Sequence, residues 1–392
     1  MLDSLRSNPL TRFILLYAAM YAGFGVASPF LPSFLSARGL PPEQLGVMLG
    51  AGTAIRLLTA PLAGRIGDLI QALRVVLVIC TALSAAATLS YLAAHDLWIL
   101  LCVSLLHAAS LAPITILADA LAVGSATPPA TSARRGFEYG WVRGTGSAAF
   151  IIGTLLSGQA VSAFGLDIII WLQALLLGIA AFAAILVPEL IHDRSADIVR
   201  SPAGGVRVLF RIAQFRNLVI VAALILGSHA MHDAFAVIRW SAAGVGPATA
   251  SLLWSEAVAA EVLVFFLIGP VIVKRLTPAG ALATAALAGM LRWTVVAQTT
   301  DVIALGLIQP LHGITFALLH LACMQLIARI VPQGLEGTAQ AIYGTVGIGA
   351  ATALLTLVSG ALYARLGAQG FWVMAALCAL ALPLTLKLRE RY

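Results

Sequence analysis

The chain has 392 residues, of which 61% are hydrophobic and 10% charged, and its mean hydropathy is +1.00. A soluble globular domain carries about 45–50% apolar and about 25% charged residues, so an ordinary soluble enzyme is excluded, and a disordered chain equally so. The formal charge of +7, from 23 Lys+Arg against 16 Asp+Glu, would suit a nucleic-acid binder if it lay on one soluble face, which it does not.

A helix that crosses the hydrocarbon core needs about 20 apolar residues. Such stretches are predicted at 10–35, 43–63, 74–94, 97–124, 136–163 and 165–188, then at 215–242, 249–273, 279–297, 301–330, 336–363 and 366–388. The reading is an all-α membrane protein with twelve transmembrane helices in two pseudo-symmetric six-helix bundles. Pro29, Pro32, Pro61, Pro113, Pro270 and Pro310 interrupt these stretches. Membrane helices accept this where neighbours satisfy the freed backbone groups. The opening MLDSLRSNPLTRF lacks a basic region leading into a short apolar core and a cleavage site, so the first stretch reads as a retained helix. Cys80, Cys102, Cys323 and Cys378 all lie in apolar stretches and suggest neither a disulfide nor a metal framework. No ATP-binding loop or catalytic triad pattern is visible, so no enzyme and no cofactor are expected.

With the first residues placed in the cytoplasm, cytoplasmic segments hold Arg6, Arg12, Arg65, Arg74, Arg134, Arg135, Arg194, Arg200, Arg207, Arg211, Arg216, Lys274, Arg275, Arg329, Lys387, Arg389 and Arg391. External loops hold only Arg38 and Arg365. That asymmetry predicts both termini inside. It also assigns the net charge to anionic headgroups of the bilayer, with no nucleic-acid partner.

The stretch 189–214 is the long, charged, Pro- and Gly-containing internal segment, read as a linker between an N-terminal bundle (1–188) and a C-terminal bundle (215–392). Internal repetition supports the division. Ser157-Gly158 is followed seven residues later by Gly165, and Ser359-Gly360 seven later by Gly367. Tyr139-Gly140 and Tyr343-Gly344 open the same two spans. Two homologous six-helix halves suit a rocking transporter.

Ionisable residues inside a membrane are costly and read as functional. Arg56, Asp119, Arg143, Asp233, Glu256, Glu261 and Arg292 lie within spans; Glu138 and Arg239 lie near span ends. Helical spacing puts Gln309, His312, Phe316 and His320 on one face, and Tyr139, Arg143 and Ser147 on another, followed by Phe150 and Thr154. Tyr17, Tyr21 and Ser28 share a face in the first span, with Gly25 permitting close approach. In HAMHD, His229 stands beside both His232 and Asp233. A hydrogen-bonded polar cluster is the favoured reading there over a metal site, which would need further ligands. Glu256 reads as interfacial or paired with Arg239, and Asp119 as able to pair with Arg143.

The run GRIGDLIQALR between the second and third spans, with Gly64, Asp68 and Arg74, resembles the conformational loop of the major facilitator superfamily, although it lacks that family's Arg after the Asp and its second Gly. Within the superfamily, YGWVRGTGS (139–147), QPLHGITFALLH (309–320) and TAQAIY (338–343) resemble the phenylpropionate-permease branch. The charge pattern Asp119, Arg143, Asp233, Glu261, Arg292 and His320 is similar to that of lactose-permease-type proton–sugar symporters, with Cys323 where those carry a Glu.

The resemblance implies a monomeric transporter of the bacterial inner membrane that imports a small organic solute with protons. The solute of choice is an aromatic monocarboxylate. A sugar or nucleoside symporter and a proton-driven exporter are the alternatives. The expected solute-binding residues are Tyr21, Arg143, Ser147, Phe150, His229, Gln309, His312 and Phe316. Asp119, Asp233, Glu261, Arg292 and His320 are the expected proton-coupling residues.

Overall fold

Caps, prolines and glycines set the helix limits. The computed structural model describes residues 8–126, 136–189 and 205–388, so the linker expectation falls largely outside the described residues, as do Arg6, Arg134, Arg135, Arg194, Arg200, Arg389 and Arg391. Helix α1 (Pro9–Ala27) opens on Pro9, with Asn8 Oδ1 accepting from the Leu10 N–H at 3.0 Å. The chain breaks at Pro29 and resumes as α2 (Leu31–Ala37). There follow α3 (Pro42–Ile70), α4 (Leu73–Ala93), α5 (Leu97–Ala126), α6 (Tyr139–Phe164) and α7 (Ile168–Leu186). Asp96 caps α5 by accepting from the Trp98 N–H at 2.8 Å.

The second half contains the short α8 (Gly205–Arg211), α9 (Ala213–Gly227), α10 (Ala230–Ala242), α11 (Pro247–Leu263) and α12 (Gly269–Gln298). It continues with α13 (Val302–Ile308), α14 (Leu311–Gly313), α15 (Leu319–Ile330), α16 (Glu336–Ile342), α17 (Ala351–Leu366) and α18 (Phe371–Leu386). Three π-helical segments, Val264–Ile268, Ile314–Leu318 and Tyr343–Ala350, interrupt this half.

Ten runs are long and apolar enough to cross a membrane. One spans Pro247–Gln298 with 52 residues, which would make a straight helix of about 78 Å, far beyond an apolar core of about 30 Å. The left-handed Thr277 (φ 64°) before Pro278 breaks it in two. A 3₁₀ turn at Gly367–Gly370 likewise divides Glu336–Leu386. The ten runs therefore carry the twelve predicted spans, and no strand occurs among the described residues.

The seven tryptophans sort by burial. Trp98, Trp141, Trp171 and Trp372 are exposed and lie in the first turn of α5, α6, α7 and α18. Amphipathic rings at span ends are what a bilayer interface favours. Trp240, Trp254 and Trp293 are buried.

Contacts divide the chain into two compact units: Met1–Arg38, Ala54–Ala196 and Pro247–Ser251 form one, and Gly39–Thr53, Asp197–Gly246 and Leu252–Tyr392 the other. The core of the first joins Phe13, Leu16 and Met20 of α1 to Leu77, Leu117, Leu121 and Ala183. That of the second joins Phe215, Leu218 and Ile225 of α9 to Leu282, Ala285, Leu318 and Leu326.

Small residues hold the membrane helices close, since packing rather than hydrophobic burial drives their association. Gly25 lies directly against the Phe150 backbone, and Thr154 Oγ1 donates to the Gly25 carbonyl at 2.9 Å. In the first unit, a Cβ on Gly158 would come 2.8 Å from the Pro247 carbonyl oxygen. In the second, a Cβ on Gly360 would come 2.6 Å from that of Pro42. Gly165 and Gly367, seven residues further on, both have positive φ (82° and 54°) and end their helices. The two halves of the repeat thus do the same structural work.

Candidate functional site

In the first unit, α1, α5 and α6 bring Tyr17, Tyr21, Asp119, Tyr139 and Arg143 together. Asp119 Oδ1 accepts from the Tyr17 hydroxyl and, at 2.7 Å, from that of Tyr139. It lies 3.6 Å from Arg143 Nη1, so the ion pair allowed for by the sequence is formed. Arg143 also donates to the Tyr21 hydroxyl, and its guanidinium carbon lies 5.5 Å from the Tyr21 ring centre. Tyr17 and Tyr21 stack at 5.7 Å. Asp119 and Arg143 keep 34% and 41% of their side-chain surface exposed. This is a wet, hydrogen-bonded pair rather than a dry lock. Ser147 and Phe150 are half-buried on the next turns of α6.

In the second unit the centre is Arg292 of α12, fully buried. Its Nη1 lies 3.1 Å from His312 Nδ1, and Nη2 donates to Gln309 Oε1 at 3.2 Å. Gln309 is itself fixed by donating to the Leu253 carbonyl at 3.2 Å. His312 Nε2 faces Glu261 Oε2 at 3.4 Å. Guanidinium nitrogens only donate, so Nδ1 of His312 is the acceptor and the ring proton sits on Nε2, pointing at the carboxylate. Around this row, Trp293 stacks beside Arg292, with 4.5 Å from guanidinium carbon to ring centre. Its indole N–H donates to Ser228 Oγ at 2.8 Å. Phe316 stacks on His312 at 5.6 Å.

His229 meets His312 and Trp293 at ring distances of 5.1 and 5.2 Å. The partner of Asp233 is His232, at 3.5 Å, with the Asp233 side chain 55% exposed and His232 stacked on Trp254. Among the described residues no group of three His, Cys, Asp or Glu could hold a metal ion.

His320 lies apart from Arg292, with Nδ1 at 3.2 Å from the Tyr343 hydroxyl. The single face drawn through Gln309, His312, Phe316 and His320 assumed 3.6 residues per turn. The π-helical segment Ile314–Leu318 widens the turn between the two histidines; His312 faces Glu261, and the His320 ring lies 6.2 Å from that of Phe265, four residues further along. The expected pairing of Glu256 with Arg239 is not formed: Arg239 donates to the carbonyls of Val296 and Thr299.

In the loop of the resemblance, Asp68 is exposed, nothing crowds Gly64, and Arg74 lies 3.7 Å from Glu189 and donates to the Val187 carbonyl at 3.2 Å. Tyr17, Tyr139, Trp254, Trp293 and Tyr343 join the polar clusters without having been singled out as site residues. Tyrosines at helical spacing were the available sign for two of them.

A helical membrane chain with ionic clusters inside its spans has the make-up of a secondary transporter. The chain belongs to the MFS_1 like family, whose model matches residues 10–374. It is therefore a transporter of the major facilitator superfamily and not an enzyme. It is 35% identical over 374 residues to the "Probable 3-phenylpropionic acid transporter" of Escherichia coli (strain K12), covering 93% of this chain and 94% of that one. The maltose permease of Geobacillus stearothermophilus is 24% identical over 390 residues, 97% of this chain and 95% of that protein. Among solved structures, the nucleoside transporter NupG superposes with a TM-score of 0.83 at 15% identity, over 98% of this chain and 100% of that one. A bacterial homolog of the human lysosomal transporter Spinster gives 0.71 at 14% identity, over 99% of each chain.

Proposed function

We propose that this transporter imports an aromatic monocarboxylate of phenylpropionate type together with protons, by rocker-switch alternating access, as a monomer in the bacterial inner membrane with both termini cytoplasmic. The solute class rests on the 35% identical relative. The proton coupling rests on one observation: the imidazole of His312 is shared between the buried Arg292 and the carboxylate of Glu261. A proton arriving on Glu261 removes the negative charge that Nε2–H faces, weakens that contact, and leaves the imidazole freer to turn. Proton occupancy and side-chain arrangement are then one variable, which coupling requires. Arg143, with five donors in a planar fork, suits the solute carboxylate, and Tyr21, Phe150 and Phe316 suit its ring. One charge crossing the membrane supplies about 2.3 kcal/mol per 100 mV, roughly a fifty-fold accumulation.

The test is transport by proteoliposomes loaded with purified protein. Glu261→Gln should abolish uphill uptake of 3-phenylpropionate and leave counterflow intact. Intact uphill uptake removes Glu261 from the proton path.

A further inference from the structure

One nitrogen of Arg143 carries its polar contacts. Nη1 donates to the Tyr21 hydroxyl and lies 3.6 Å from Asp119 Oδ1, while Nη2 and Nε make no hydrogen bond among the described residues. A guanidinium free to turn beside a carboxylate tends to close a pair of two parallel bonds, which occupies one edge of its fork. That pair is not closed here. Asp119 Oδ1 takes the hydroxyls of Tyr17 and Tyr139 instead, and two nitrogens of Arg143 keep their donors.

Tyr21 meets the guanidinium at two points, through its hydroxyl and through its ring, whose centre lies 5.5 Å from the guanidinium carbon. The ring has a fixed seat. It stacks on Tyr17 at 5.7 Å and meets Phe24 edge-on at 5.4 Å. Its third support is the backbone of α6 at Gly146, three residues after Arg143. A Cβ there would come 3.0, 3.1 and 3.3 Å from the ring carbons Cδ2, Cε2 and Cγ.

Gly146 is buried inside α6 and its φ is not left-handed, so the backbone itself does not require glycine. Glycine in a helix interior is less favourable than alanine, which leaves the space given to the Tyr21 ring as its physical reason. Helices α1 and α6 cannot spread to make that space, because Gly25 packs on the Phe150 backbone and Gly153 on the Ala22 backbone within the next two turns.

We propose that Tyr21, seated on Gly146, is a positioning residue that keeps Arg143 from closing a two-bond pair with Asp119, and thereby sets the preference for a carboxylate solute over its uncharged analogue. The inference rests on the proposed function in taking an aromatic monocarboxylate as the solute, and it adds Gly146 to the residues that determine specificity.

Titration calorimetry of purified protein in nanodiscs, with 3-phenylpropionate and 3-phenylpropanamide, tests it. Tyr21→Phe keeps the ring and its stacking. It should weaken binding of the acid about tenfold, the scale of one charge-assisted hydrogen bond, and of the amide less than about twofold. Gly146→Ala, which pushes the ring off its seat, should lower the preference for acid over amide in the same direction. With Asp119→Asn present, no charge draws the guanidinium in, so adding Tyr21→Phe should then change acid affinity less than about twofold.

A tenfold loss that persists with Asp119→Asn present would make Tyr21 a direct contact of the solute and overturn the positioning role. An unchanged preference in Gly146→Ala overturns the seat. Should the wild-type protein bind no 3-phenylpropionate, the proposed solute falls, and thermal unfolding still decides the inference. Asp119→Asn should lower Tm by roughly 1–2 °C more in the Tyr21→Phe background than in wild type, because it then breaks a two-bond pair. Equal losses in the two backgrounds overturn the positioning role whatever the solute is.

Discussion

Nη1 of Arg292 lies 3.1 Å from Nδ1 of His312, and the other nitrogen of the same imidazole faces Glu261. The other histidine of that span, His320, has partners of its own, Tyr343 and Phe265. If His312 carries the coupling, His312→Gln should lower uphill uptake at least about tenfold, since it strands a fully buried guanidinium and uncouples the carboxylate. His320→Gln loses the contacts with Tyr343 and Phe265 but leaves the Arg292–His312–Glu261 row in place, and should keep most of the uptake. Uptake driven by an imposed pH gradient, with counterflow as the control for folding, reads both. Equal losses in the two variants would dissolve the distinction.

The spans and their polar content were legible because hydropathy and charge are properties of single positions, and a charge in a membrane is conspicuous wherever it sits. The Asp119–Arg143 pair was legible for the same reason. The repeat was legible as well. Gly158 and Gly360 both sit at helix crossings. Tyr139 and Tyr343 each bond a titratable residue of the preceding span, Asp119 and His320. Periodicity does not foresee where the helix departs from 3.6 residues per turn, as at Ile314–Leu318. Convergence of distant spans was also hidden: nothing about His107 in its apolar run tells that the Tyr91 ring stands 5.7 Å from it. The contact between His229 and His312 is hidden in the same way, since it joins the residue before α10 to α14 across more than eighty positions.

The Asp119 cluster predicts graded effects. Tyr17 is fully buried and donates its hydroxyl to Asp119. Tyr17→Phe should therefore cost about 1–2 kcal/mol of stability, because the carboxylate loses a charge-assisted partner in a place water does not reach. Tyr139→Phe should cost less, since Tyr139 is only half-buried and water can replace it. Urea or thermal unfolding followed by tryptophan emission measures both, and a larger loss for Tyr139→Phe would contradict the ranking.

Arg143 makes a separate prediction about binding. Arg143→Lys keeps the charge near Asp119 but cannot hold the fork that reaches Tyr21 and leaves donors free for a solute. Stability should change little, since a pair this exposed contributes at most about 1 kcal/mol. Affinity for 3-phenylpropionate should fall about tenfold or more. Unchanged affinity by direct binding to the purified protein would take Arg143 out of the solute site.

The glycine crossings give the last test. At Gly360 any side chain would meet the Pro42 carbonyl at 2.6 Å and the Gly46 Cα at 2.9 Å, all backbone atoms of helices that cannot yield locally. At Gly158 the obstacles are the Ser251 side chain and the Pro247 carbonyl. Valine at either position must therefore push apart α17 and α3, or α6 and α11. A single cysteine placed at Ser251, in a chain whose native cysteines are replaced, should react with a membrane-impermeant maleimide faster in the Gly158→Val variant than in its parent. The same should hold for a cysteine at Thr356, beside Gly46, in the Gly360→Val variant. Ser251 is 1% exposed and Thr356 6%, so the parent rates start low and an opening of a few ångström is readable. Rates unchanged by valine, in protein that still folds, would mean that these helices already stand apart in the membrane.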